Sequence, residues 1–246
     1  MGALLATAAC GPKSRDNANA DIANLSQADK DHLTVAKVTV KEVADKGFGQ
    51  MGNLDSASYF QYVQRQLKQE KSVDLPSTDS ISWDVIVNIG KQIWDIVQKN
   101  QPVVTTSNDV AYGLPEGVRS ASQLDGWMSP KSKVYQVTYE NLFGMTVADF
   151  TYRVMFTPGG NLQGRGRYLT EVTILPADLA VSWGYKFNAQ ATVPSVVNSG
   201  TKQNPVASAQ LVMKWSVDTV LRHMESSTAY VVRGDGTFED ISSGTK

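Results

Sequence analysis

The sequence predicts an α+β protein that is mainly β, built as a bent antiparallel sheet or β-sandwich with one or two helices packed on one side. Three observations predict it. Two long segments of the C-terminal half alternate apolar and polar residues with a period of two. Shorter alternating runs around them are separated by glycine- and proline-rich turn sequences. Apolar residues at helical spacing are confined to the N-terminal half.

The alternation is clearest over 179–193 and 207–221. Leu179, Val181, Trp183, Tyr185, Phe187, Ala189, Ala191 and Val193 fill the odd positions of the first segment, with mostly polar or small residues between them. Ala207, Ala209, Leu211, Met213, Trp215, Val217, Thr219 and Leu221 do the same in the second. A helix would scatter these side chains around its circumference, whereas a strand gathers each set on one face. Trp183, Tyr185, Phe187, Leu211, Met213 and Trp215 are therefore expected to be buried. One wet face per strand favours antiparallel pairing. Typical strands have about five or six residues, so these longer segments invite a bend or bulge, at Gly184 and at Val212/Met213.

Other strands follow from the same period. Val134–Tyr139 is one; Thr146–Phe156 and Gln163–Leu175 form a hairpin across Pro158-Gly159-Gly160-Asn161; Thr228–Arg233 ends at the tight-turn sequence Gly234-Asp235-Gly236. Near the N-terminus Ala36, Val38 and Val40 alternate with Lys37, Thr39 and Lys41, which predicts a further strand. Two helices are expected. Phe60, Val63 and Leu67 mark one over 56–71, and Ile86, Ile89, Ile93 and Val97 mark another over 80–99, its stripe covering the sheet. Residues 101–130, rich in Pro and Gly, read as an irregular connection across the sheet. The chain divides into 1–20, a leader and tether; 21–130, a mixed strand and helix region; and 131–246, an antiparallel β domain.

Composition narrows the function classes. The 246 residues carry 23 basic and 24 acidic side chains, a net charge of -1. No basic excess exists to drive nucleic-acid binding. No run of about 18 apolar residues is present to form a membrane-spanning helix. The single cysteine, Cys10, leaves no intrachain disulfide and no cysteine metal centre.

Candidate chemistry is sparse. The two histidines, His32 and His223, lie far apart in the chain and read as solvated. Asp149 and Glu171 fall in the expected hairpin, where an acid/base pair would need them to approach each other. The glycines around Arg165 and Arg167 lack the lysine and hydroxyl of a phosphate loop and precede a strand, not a helix. Arg153, Arg165 and Arg167 are candidates for an anion site, should the sheet gather them. Gly234–Asp240 lacks the Asp-x-Asp-x-Asp spacing of a calcium loop. No cofactor and no metal site is expected.

Residues Ala3-Leu4-Leu5-Ala6-Thr7-Ala8-Ala9-Cys10-Gly11 resemble the end of a bacterial lipoprotein signal peptide, with Thr7 where such proteins usually carry Leu. The resemblance implies cleavage before Cys10 and lipid attachment at its thiol, a residue able to accept the acyl group because its thiolate is nucleophilic. The polar stretch Gly11–Asp21 would then be a flexible tether. The implied location is the bacterial cell envelope, on the periplasmic side or cell surface, with the membrane as a partner through the anchor. Three functions stay open. The first is a non-catalytic lipid-anchored envelope protein with a binding or structural β domain. The second is a membrane-inserting, pore-forming β protein using 179–193 and 207–221. The third is a carboxylate-based enzyme.

Overall fold

The period-two segments fold as strands and divide between two antiparallel sheets. The computed structural model describes residues 24–45, 81–87, 92–98, 102–105 and 110–242. Cys10, the leader and the helix expected over 56–71 lie outside these residues. Among the described residues a short helix, α1 (Gln27–His32), comes first. The strands are β1 (Val35–Val43), β2 (Ser82–Val87), β3 (Gln92–Gln98), β4 (Pro102–Thr105), β5 (Ala111–Glu116), β6 (Lys131–Asn141), β7 (Thr146–Leu162), β8 (Arg165–Val181), β9 (Lys186–Asn198), β10 (Ala207–Asp218), β11 (His223–Arg233) and β12 (Phe238–Asp240). One sheet runs β1-β6-β7-β8-β5-β2 and the other β12-β11-β10-β9-β3-β4. Strands from 21–130 are thus built into both sheets beside the C-terminal ones.

The two sheets share one core. Tyr139, Phe150, Tyr152 and Val154 from the first meet Phe187, Leu211, Met213, Trp215 and Tyr230 from the second. The Phe150 and Phe187 rings are 5.0 Å apart between centroids, and Tyr135 and Tyr230 are 4.8 Å apart. Buried aromatics with polar tips need partners, and here they find them across the sheets. The Tyr152 and Tyr230 hydroxyls are 2.7 Å apart, and Trp215 Nε1 donates to Tyr139 Oη at 2.8 Å. Burial pushes the Tyr152 phenol up to about 12, so this hydroxyl stays protonated at neutral pH.

The six side chains expected in the core divide five to one. Tyr185, Phe187, Leu211, Met213 and Trp215 are buried, but Trp183 is exposed. The reason is local: the chain leaves β8 at Val181 and turns before β9 starts at Lys186, so Trp183 sits on the turn. The bend anticipated at Gly184 is there. The register shift between Gln210 and Val212 in the β10/β9 ladder places the second irregularity next to the Val212/Met213 pair.

Two expectations are corrected. The helix over 80–99 is replaced by β2 and β3, which join different sheets. Its apolar stripe fits a 3.6 period, but Val85, Ile86, Val87, Ile96 and Val97 are β-branched, and such side chains favour strands. The hairpin turn also moves. Pro158, Gly159, Gly160 and Asn161 lie inside β7, and the chain reverses at Gln163-Gly164. Both of these residues have positive φ, 53° and 79°, the signature of a type I′ turn whose twist matches its strands. Gly160 instead accommodates a neighbour. A Cβ there would come within 2.3 Å of the Trp127 ring, which crosses β7 from the irregular segment after β5. That segment, from Gly117 to Pro130, is the part of the expected irregular connection that holds.

Candidate functional site

The anion-site arginines are not brought together. Arg153 pairs with Leu175 in mid-hairpin, whereas Arg165 opens β8 opposite Leu162. At about 3.3 Å per residue the two are separated by on the order of 30 Å along the strands. The buried Arg153 guanidinium is held by Asp45 at 2.6 Å. Burial pulls its pKa down, and the Asp45 carboxylate opposes that shift. Arg165 donates to the carbonyls of Gln203 and Lys202, at 2.8 and 3.0 Å, and lies over the Trp83 ring. Arg167 is exposed on the same strand.

The carboxylate pair separates too. Asp149 stands opposite Ala180, while Glu171 lies beside Thr157 farther along the hairpin. Thr157 donates to Glu171 at 2.6 Å and Gln136 donates to Asp149 at 2.7 Å. Neither carboxylate faces the other, and the acid/base reading fails on register. His223 lies between Asp218 and Glu225, which raise its pKa through their hydrogen bonds.

His32 is partly exposed, but its ring is bonded instead of free in solvent, and it organises one end of the molecule. Asn141 donates its side-chain amide to His32 Nδ1 at 3.1 Å, and Nε2 lies 3.2 Å from the Trp183 carbonyl. An acceptor role at Nδ1 and a donor role at Nε2 satisfy both contacts. Tyr185 Oη donates to the His32 carbonyl at 2.5 Å. The His32 ring stacks on Trp183, 6.0 Å between centroids.

Asn141 is the second organiser. Buried at the end of β6, it accepts from the Phe143 and Met145 amides at 3.0 and 3.1 Å through Oδ1, and its amide also donates to the His32 carbonyl. These bonds shape the turn from β6 to β7 and tie it to the end of α1. The β8–β9 turn is fastened to the same place. Tyr185 N donates to the Ser182 carbonyl, and Gly184 takes φ +85° with Trp183 before it at ordinary negative φ, as in a type II turn. A side chain at Gly184 would be strained and would meet Leu33 at 2.5 Å.

What these turns present is apolar. Leu142 is 55% exposed, Phe143 54%, Met145 48% and Trp183 74%, and Val220 on the β10–β11 turn is 57% exposed. The register puts all three turns at one end: Ala148 faces Val181, Lys186 faces Asp218, and Asp218 faces His223. The opposite end is different. Its β7–β8 and β9–β10 tips carry exposed Gln163, Arg165, Thr201, Lys202, Gln203 and Asn204. Among the described residues Val85, Met128 and Val197 are exposed apolar side chains near it, on separate elements. Turns ordinarily collect Gly, Asn, Asp, Ser and Pro, and scattered exposed apolar residues are ordinary. Five on three neighbouring turns form a patch. The signal for it was present in Asn-Leu-Phe-Gly-Met at 141–145, where turn residues bracket large apolar ones. Trp183 was hidden by the alternation that assigned it to the core.

Comparison with protein-family models, with curated proteins and with solved structures finds no match to this chain.

Proposed function

We propose that the protein is a lipid-anchored, non-catalytic component of a bacterial cell envelope, with the β-sandwich serving as a rigid binding or structural body. The observation that carries the reading is the apolar loop end, because exposed apolar patches mark interaction sites. The resemblance of Ala3–Gly11 to a lipoprotein signal adds the anchor. The carboxylates considered for an acid/base pair serve Thr157 and Gln136 instead, which lends the enzyme reading no support.

Expression of the native gene in a lipoprotein-processing bacterium tests the anchor. Intact mass is expected to show a chain starting at Cys10 with a diacylglyceryl adduct, and Cys10→Ser is expected to move the protein from the membrane to the soluble fraction. An unmodified chain retaining residues 1–9 in the native host overturns the reading.

A further inference from the structure

We infer that the loop end formed by Leu142, Phe143, Met145, Trp183 and Val220 lies in the interface of the bilayer that holds the anchor, so that the polar end points away from it. The inference rests on the anchor proposed above and adds the partner of the apolar patch, which is lipid.

Four observations favour a bilayer. The exposed groups sit on separate turn tips instead of lining a groove. They include Trp183 and Phe143, and Trp is favoured at the headgroup level. The turns are held from behind by Asn141, His32 and Tyr185, so the tips are presented without needing a partner to order them. Finally, the tether arrives at this end. Asn24 lies within roughly 20 Å of His32, given 1.5 Å per helical residue and a short extended approach. From Cys10 to Asn24 is about 14 peptide units, which reach at most roughly 50 Å. A lipid on Cys10 can therefore bring the loop end, where the described chain begins, directly to the surface.

Nearby charge is mixed. Lys186 and Arg222 are exposed beside the tips, while Asp218 and Glu225 share His223, Glu140 pairs with Lys37, and α1 adds Asp29 and Asp31. Apolar insertion is therefore the main contribution, and vesicles without phosphatidylglycerol are expected to suffice.

The test uses the full chain with a bimane label at Met145→Cys or at Thr201→Cys. On acylated protein the introduced cysteine is the free thiol, since Cys10 is blocked; a Cys10→Ser background supplies the unanchored control. Each is mixed with phosphatidylcholine vesicles, with and without phosphatidylglycerol, containing doxyl-labelled lipid. The label at 145 is expected to be quenched by doxyl lipid and shielded from aqueous iodide, and the label at 201 to behave oppositely. On the Cys10→Ser chain, Phe143→Ser with Trp183→Ser is expected to lower vesicle partitioning at least about tenfold. If acylated protein stays on vesicles but both labels remain open to iodide, the orientation is wrong and the anchor stands. If Cys10 proves unmodified yet the 145 label is immersed on the Cys10→Ser chain, the anchor is wrong and the lipid surface stands. If the 145 label becomes shielded only when envelope proteins are added, the patch docks a protein and the lipid inference is overturned.

Discussion

His223 shows how a single side chain on this sheet acquires a pH dependence. Its ring lies between Asp218 and Glu225, and hydrogen bonds to these carboxylates hold its pKa above the usual histidine value. The raised folded pKa sets the sign. Any stabilisation from the cluster is fully present below the unfolded pKa and fades as pH rises through the folded one. The group is exposed, so its contribution to stability is small. The expected outcome is read by NMR: the His223 titration midpoint lies above that of an unfolded control, and Asp218→Asn moves it down. A midpoint unmoved by Asp218→Asn would show that the pairing with Asp218 does not set the shift.

Elements were legible in proportion to how fully local pattern dictated them. The strands β9 and β10 announce themselves, because period two continues over a dozen residues and one face of each is core. β2 and β3 do not. Ile86, Ile89, Ile93 and Val97 sit at a helical spacing that β-branched composition weakens and long-range pairing, with β5 and with β9, overrides. The hairpin reversal was misplaced because Pro158 and the paired glycines look like a turn. Their use is packing against Trp127 and Met128, a tertiary fact with no local signature. The candidate surface suffered likewise: His32 and Asn141 are far apart in sequence, and only the fold joins them.

The Gly160 contact is open to a stability test. Gly160→Ala would drive its Cβ into Trp127, whose Nε1 donates to the Ala121 carbonyl at 3.0 Å and which cannot move without straining that bond. Overpacking of this kind costs about 1–3 kcal/mol. Urea denaturation is expected to show that loss, whereas Gly144→Ala meets no neighbouring atom within 4 Å and costs only its left-handed backbone, about 1 kcal/mol. Equal midpoints for Gly160→Ala and wild type would mean that Trp127 yields freely.

At the scale of the whole molecule, the sandwich divides its apolar side chains between two uses. Most are in the shared core, where Phe187 packs at a tilt against Phe150 and Tyr152 reaches Tyr230. Those on the β6–β7, β8–β9 and β10–β11 turns face solvent and, apart from the stack of Trp183 on His32, add little to folding, because surface substitutions away from specific structural features usually change stability by no more than about 0.5 kcal/mol. The two uses separate experimentally. Leu142→Ser combined with Phe143→Ser and Trp183→Ser is expected to stay within about 2 kcal/mol of wild type in urea denaturation, most of the loss coming from the His32 stack. Phe187→Ala, from the middle of the core, is expected to lose about 3–5 kcal/mol. If the triple variant unfolds as easily as Phe187→Ala, the turn residues are holding the fold and their exposure reflects no separate role. If it stays within that margin, the fold does not require the apolar character of this end. The exposed side chains are then available for binding, and the same variant becomes a clean reagent for measuring what they bind.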